Sequence, residues 1–464
     1  MGDGTNLHRI FRFSVKSGSV FRLRPVQAVV IGFAAVILLG AILLTLPFAS
    51  RSGQSSGFLT ALFTATSATC VTGLIMVDTY TNWTLFGQIV ILLLIQVGGL
   101  GFMMVGTTFS LALRRKITLK ERLVLAESIN QYDIEGIVAL TRKILLGTFL
   151  VEGTGAVLLS IRFVPKLGWV EGIYYGIFHS VSAFCNAGFD LMGRDKPFCS
   201  LTAYAEDPLV SIVIMALIVC GGLGFAVYSD IAKTKTPSRF HLHTKIVLTT
   251  TAALLLFGFV FFYIAEFNNP KTLGDLTPGG KVLSAAFMSV TPRTAGFNTV
   301  DLSGMRTSSC FLTTILMFIG GSPGSTAGGI KTTTFAVLLL SIVAVMRNRD
   351  DTEAFQRRIS RSALKKAFVI AIIGIIWVCI VTCILISADN VTLKEALFET
   401  ASAFGTVGLT LGITPKLSVI SHIALIVSMY FGRVGILSII MAISNGSTRA
   451  PQPFSFPEEK IAIG

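Results

Sequence analysis

Long and short apolar runs alternate along this chain in an order that repeats four times. A long run opens each unit, at about residues 27–49, 138–161, 245–265 and 364–386. A half-length amphipathic segment follows: LTALFTATSAT, GIYYGIFHSVSAF, KVLSAAFMSV and KEALFETASAF. A second long run closes the unit, at about 84–112, 208–231, 308–345 and 418–444. Runs of about 20 apolar residues, such as IVLTTTAALLLFGFVFFYIA, cross a bilayer core, whereas roughly 11 residues at a 1.5 Å rise do not. The pattern predicts an all-α polytopic membrane protein with eight spanning helices and four re-entrant half-helices.

Each half-length segment runs into an apolar octet: SATCVTGL (67–74), SAFCNAGF (182–189), VTPRTAGF (290–297) and SAFGTVGL (402–409). The glycines Gly73, Gly188, Gly296 and Gly408 are spaced 115, 108 and 112 residues apart. Phe63, Phe178 and Phe398 stand ten residues before three of them, and Phe287 stands nine before the other. Irregular backbone at membrane depth must be buried or line a watery cavity. Four equivalent helix–pore loop–helix repeats around a pseudo-fourfold axis would build one central pore. Backbone carbonyls lining it could replace the hydration shell of a cation. Glycine permits the close approach and the positive φ that such turns need. The partly negative C-terminal ends of the short helices would favour a cation at the axis.

Composition agrees with a membrane protein and charge orients it. The 464 residues are 52% hydrophobic and 13% charged, with a mean hydropathy of +0.75. The net charge of +14 sits in a few polar segments that flank apolar runs, including Arg9, Arg12, Lys16 and Arg22; Arg114, Arg115, Lys116 and Lys120; Lys233, Lys235 and Arg239; and Arg357, Arg358, Arg361, Lys365 and Lys366. This distribution predicts that these segments are cytoplasmic, which argues against nucleic acid as a partner. The chain then divides into a cytosolic tail (1–26), unit one (27–113), a cytosolic loop (114–137), unit two (138–231), a loop (232–244), unit three (245–345), a loop (346–363), unit four (364–445) and a cytosolic tail (446–464). Both termini are expected in the cytoplasm of a cell-membrane protein, without a cleaved signal peptide. The seven cysteines form no CxxC pair and read as buried hydrophobes. The five histidines do not converge, so no membrane-embedded enzyme is expected.

TCVTGL, CNAGFD, TPRTAGFNT and GTVGLT, in this order and at this spacing, resemble the filter loops of the Trk/Ktr/HKT superfamily of potassium transporters. The first long run begins near residue 27, which is most similar to Ktr membrane subunits of the KtrB type. The resemblance implies K+ uptake, often Na+-dependent, by a homodimer docked on a cytosolic, nucleotide-binding regulatory ring of the KtrA type. It assigns the K+-binding filter to Thr69, Cys70, Val71, Thr72 and Gly73; Cys185, Asn186, Ala187 and Gly188; Arg293, Thr294, Ala295 and Gly296; and Gly405, Thr406, Val407 and Gly408. None of the turns is the TVGYG of tetrameric potassium channels, so a Na+-permeable or weakly selective member of the superfamily is the alternative. Arg293 is expected to turn away from the ions toward a carboxylate or a carbonyl.

The second run of unit three is interrupted by FIGGSPGSTAGGIKTTTF (318–335), with five glycines and one proline. Glycine costs about 1 kcal/mol and proline about 3 kcal/mol in a helix interior, so two half-helices joined by a mid-membrane loop are expected. The candidate gate is therefore Gly320, Gly321, Ser322, Pro323, Gly324, Ser325, Thr326, Ala327, Gly328 and Gly329, with Lys331 beyond. Gly324–Gly329 is not a phosphate-binding loop, because Ile330 precedes Lys331 and no strand leads in. Glycine clusters at Gly99, Gly222, Gly321 and Gly432 are read as points of close approach inside spanning helices. Arg433 belongs to the candidate gate, since a mid-bilayer arginine needs water or a partner. Glu152, in VEGTG, is read as a hydrogen-bonded structural group.

Overall fold

The computed structural model describes residues 24–101, 104, 122–125, 137–234 and 236–443. The basic residues Arg9, Arg12, Lys16, Arg22, Arg114, Arg115, Lys116, Lys120 and Lys235, and the tail 446–464, lie outside the described residues. Unit one comprises α1 (Pro25–Thr45), α2 (Phe58–Thr69) and α3 (Leu85–Leu100). Unit two comprises α4 (Ile137–Leu167), α5 (Trp169–Phe184), α6 (Pro208–Gly222) and α7 (Phe225–Thr234). Unit three comprises α8 (Leu242–Glu266), α9 (Pro278–Val290), α10 (Thr307–Phe318) and α11 (Thr332–Met346). A two-residue antiparallel pair, β1 (Glu353–Ala354) with β2 (Arg357–Arg358), precedes unit four. That unit comprises α12 (Arg361–Ala388), α13 (Leu393–Gly405), α14 (Val419–Val434) and α15 (Ile436–Ile443).

Local chemistry sets where these helices start. Asp207 caps α6 by accepting from the Leu209 and Val210 amides, and Pro208 occupies the first turn, where a missing N–H costs nothing. Thr277 and Pro278 do the same for α9. At α13, Thr392 and Glu395 form a reciprocal capping box.

α1, α4, α8 and α12 are each long and apolar enough to cross a membrane alone. Their outward faces carry exposed Leu39, Ile42, Leu150, Val157, Leu256, Ile264, Ile372 and Ile375, an arrangement suited to lipid contact. In units one, two and four the second helices differ from the expectation of one straight span. α3 stops at Gly101 (φ 86°), α6 and α7 meet at Gly224 (φ 93°) with a bend of 89°, and α14 and α15 meet at Gly435 (φ 89°) with a bend of 93°. The glycine clusters are therefore breaks as well as points of close approach. A left-handed φ ends an α-helix, and only glycine adopts it without strain. In unit three the interruption runs from Ile319 to Lys331, between α10 and α11.

Packing closes the four units into a circle. Within each unit the first helix lies along its own short helix, as α1 on α2, α4 on α5, α8 on α9 and α12 on α13. The second helix also packs on the short helix of the next unit: α3 on α5, α6 on α9, α10 on α13 and α14 back on α2. Phe63, Phe178, Phe287 and Phe398, the recurring phenylalanines of the short helices, are fully buried at these contacts.

Candidate functional site

The four octets leave the C-terminal ends of α2, α5, α9 and α13 and turn back inside this circle. In every turn the residue two positions before the glycine has a left-handed φ: Val71 (52°), Asn186 (58°), Thr294 (70°) and Thr406 (52°). The glycines follow at 92° for Gly73, 69° for Gly188, 85° for Gly296 and 90° for Gly408. Non-glycine residues avoid this region, and a β-branched side chain there needs the surroundings to enforce it.

The turns enforce one another. A Cβ placed on Gly73 would lie 2.5 Å from the Ala187 carbonyl oxygen, on Gly188 2.6 Å from that of Ala295, and on Gly296 2.5 Å from that of Val407. One placed on Gly408 would strike the Thr72 carbonyl oxygen. Each glycine thus rests on the carbonyl just before the next unit's glycine, and the fourth returns to the first. Behind the ring the turns fall into two kinds. The Gly73 and Gly408 amides each donate to a serine hydroxyl, Ser67 and Ser402, at 3.0 Å. In the other two units, the Ser182 and Thr291 hydroxyls donate instead to the Phe189 and Phe297 carbonyls, at 2.7 and 2.5 Å. The Asn186 amide donates to the Ala183 and Ile218 carbonyls at 3.0 and 3.2 Å and accepts from the Thr294 hydroxyl at 3.0 Å. Among the described residues the buried hydroxyls of Thr69, Thr72 and Thr406 have no hydrogen-bond partner.

Cys70, Cys185, Arg293 and Gly405 share the position three before the glycine, and their backbones start the turns. Arg293 is 7% exposed and donates from Nη2 to the Gly320 carbonyl at 3.2 Å. Its side chain thus belongs to the interrupted segment of unit three rather than to the row of carbonyls. Cys185 lies against Gln96 and Glu152.

The segment 319–331 lies against the ring and reaches the other units. Gly320 N–H donates to Ile330 O at 2.8 Å and Thr332 N–H to Gly321 O at 3.0 Å, which closes its neck. On the side of unit two, Ser322 and Thr326 amides donate to Gly222 and Gly221 at 3.0 and 3.2 Å, and Phe225 N–H donates to Gly324 at 2.8 Å. The Thr326 hydroxyl reaches the Phe184 carbonyl at the end of α5, at 3.1 Å. On the side of unit four, Gly329 N–H donates to Gly432 at 3.2 Å, and a Cβ on Gly328 would strike the Thr406 side chain. Arg433 completes the attachment. It donates to the carbonyls of Thr326, Gly98 and Gly99, the last at 3.0 Å. The Gly98 and Gly99 carbonyls lie at the C-terminal end of α3, where the helix dipole is negative. Lys331 turns back onto Ala327 O at 2.7 Å. A cavity of about 480 Å³ opens beside this segment, lined by Arg433, Lys331 and Lys366 and by no carboxylate among the described residues.

Two supporting residues were missed in the sequence. His179 and Glu399 each stand nine residues before the glycine of their turn. The His179 ring accepts the Leu191 amide at Nε2, at 3.3 Å, while Nδ1 bonds the Tyr175 carbonyl at 2.8 Å. Glu399 accepts from the Thr410 hydroxyl at 2.8 Å and from that of Thr414. Both tie down the chain that leaves the ring, and their common offset was the available signal. Just beyond the second turn, burial and the neighbouring Asp78 push the Asp190 carboxyl up to about 7, although the Met192 amide donates to it at 2.9 Å.

A multi-pass helical membrane protein that folds four re-entrant turns into one closed ring has the architecture of a transport protein. Residues 15–454 match the TrkH family of cation transport proteins, and the chain belongs to that family. It is 43% identical to the potassium/sodium uptake protein NtpJ of Enterococcus hirae, over 96% of this chain and 98% of the relative. It is 42% identical to the Ktr system potassium uptake protein B of Bacillus subtilis, over 91% and 93%, and 38% identical to the protein of that name from Vibrio alginolyticus, over 94% of each. The fold is similar to that of the potassium transporter TrkH from Vibrio parahaemolyticus, with a TM-score of 0.67 at 18% identity over 90% of this chain and 85% of that one.

Proposed function

We propose that this chain is the K+-translocating membrane subunit of a Ktr-type uptake system. Units 27–113, 138–231, 245–345 and 364–445 each contribute one turn to a backbone-carbonyl filter. The observation that carries this reading is the ring in which each glycine rests on the next unit's carbonyl. Paired left-handed residues in each turn and helix C-termini behind it favour a dehydrated cation there. The unpaired hydroxyls of Thr69, Thr72 and Thr406 add neutral oxygen donors. Segment 320–329 with Lys331 and Arg433 forms the barrier: it is held by backbone carbonyls of three units and places positive charge beside the path. A cytosolic regulatory subunit of the KtrA type, docked on the basic segments 114–136, 232–244 and 346–363, controls it, and nucleotide binds only to that partner. The chain works as a homodimer in the cell membrane with both termini in the cytoplasm.

The name of the Enterococcus relative includes sodium, which favours a second reading as a Na+-permeable or weakly selective transporter. Growth of a potassium-uptake-deficient strain at low K+ tests the proposal. Rescue is expected on co-expression with a regulatory subunit, and Na+ dependence is read by omitting Na+. No rescue in any arm, despite expression in the membrane, would contradict the proposal.

A further inference from the structure

Glu152 lies in the middle of α4 and is 4% exposed. A carboxylate inside an apolar helix needs partners close by. Gln96, from α3 of the preceding unit, supplies one: its Nε2 lies 3.2 Å from both carboxylate oxygens. The Cys185 thiol supplies another, 3.7 Å from Glu152 Oε1 and 3.8 Å from Gln96 Oε1. The Ser180 hydroxyl fixes the same level of α4 by donating to the Glu152 backbone carbonyl at 2.6 Å. Cys185 is both the cap of α5 and the start of the second turn.

The cluster also adjoins the segment held by Arg433. A Cβ on Gly99 would lie 2.6 Å from the Cys185 sulfur, and the Gly99 carbonyl is one of the Arg433 acceptors. Gln96 and Gly99 sit three residues apart on α3 and so share a helix face. Among the described residues no other turn has a carboxylate from the first helix of its unit behind its first residue. The equivalent positions hold Cys70, Arg293 and Gly405.

We infer that Glu152 is a positioning residue for ion selection, which together with Gln96 of α3 sets the height of the second turn through Cys185. The inference rests on the reading of the ring as the ion filter. A carboxylate suits the task because two oxygens can accept from one amide and a thiol together. Leucine at this position would leave the part-buried Gln96 amide without this acceptor and the turn without its brace.

K+ and Na+ fluxes through full-length protein in proteoliposomes test this, with thermal midpoints measured in detergent. Loss of the Glu152 acceptor is expected to lower the K+/Na+ flux ratio about tenfold in Glu152→Leu, loss of the thiol donor about threefold in Cys185→Ala, and Glu152→Gln, which keeps one acceptor, should lower it less than about twofold. The Cys185→Ala midpoint is expected to stay at that of wild type, so this variant decides the matter if Glu152→Leu does not fold. A wild-type ratio in the folded variants overturns the inference, as does a parallel fall of both fluxes at constant ratio, the mark of a purely structural role. A wild-type protein with no K+ preference would instead remove the filter reading, and this inference with it.

Discussion

The ring of glycine turns and the segment beside it are built in opposite ways. The ring uses one device four times: a left-handed residue, a left-handed glycine and a neighbour's carbonyl in van der Waals contact with it. Segment 319–331 occurs once. It is held by hydrogen bonds from units two and four, and by one arginine that reaches 334 residues back in the chain to Gly99. Steric contact between backbones gives way only at high cost, whereas hydrogen bonds to an already unwound segment can be exchanged. Under the proposed function, selection and closure reside in adjacent parts of one molecule that can be altered separately.

The largest effect is expected from breaking the ring. Gly408→Ser puts a Cβ on the Thr72 carbonyl and a non-glycine residue at φ 90°. The K+/Na+ flux ratio should fall about 10- to 100-fold, since left-handed geometry alone costs roughly 1–2 kcal/mol and the clash adds to it. An unchanged ratio in this variant and in Gly73→Ser would show that these carbonyls do not contact the ion. Removing Gly324–Gly328 should act on the other region, raising K+ flux about tenfold and reducing its dependence on a regulatory subunit, as expected when about 1.4 kcal/mol of closure is lost. Flux no higher than wild type would place the barrier elsewhere. A smaller effect should come from Asp190, the one carboxylate directly beyond a turn. With its carboxyl pushed up to about 7, it is neutral in mildly acidic medium and charged in mildly alkaline medium. A negative charge at the mouth draws cations in, so K+ flux should rise about twofold as external pH rises from about 6 to about 8. Asp190→Asn should flatten that profile, and a profile identical to wild type would show that Asp190 is not the titrating group.

The same contrast explains what could be read from the sequence. The ring repeats, so Gly73, Gly188, Gly296 and Gly408 stand out at similar spacing, and the glycine and proline content of 318–335 marks the interruption by local propensity alone. Tertiary contacts carry no such signal. Nothing near Arg433 in the chain announces Thr326, Gly98 or Gly99 as its acceptors, nor does VEGTG announce Gln96. The breaks at Gly101, Gly224 and Gly435 went unread because glycine clusters inside a membrane helix also serve close helix approach, which is how these were read. Their regularity was nonetheless visible: each lies three residues after a glycine (Gly98, Gly221 and Gly432) that fits against a short helix, at the Thr69, Phe184 and Phe404 carbonyls. The close approach and the bend are one device, in which the first glycine admits the neighbouring backbone and the second turns the chain aside.

The separation of the two regions is tested most directly by Arg433→Ala in proteoliposomes, with K+ and Na+ fluxes measured side by side against wild type. Its three carbonyl acceptors all lie outside the ring, so the substitution should loosen segment 319–331 and leave the four turns in place. The account predicts K+ flux about tenfold higher, for a loss of about 1.4 kcal/mol of closure, at an unchanged K+/Na+ ratio. A folded variant whose flux stays at the wild-type level, or whose ratio falls as its flux rises, would contradict it.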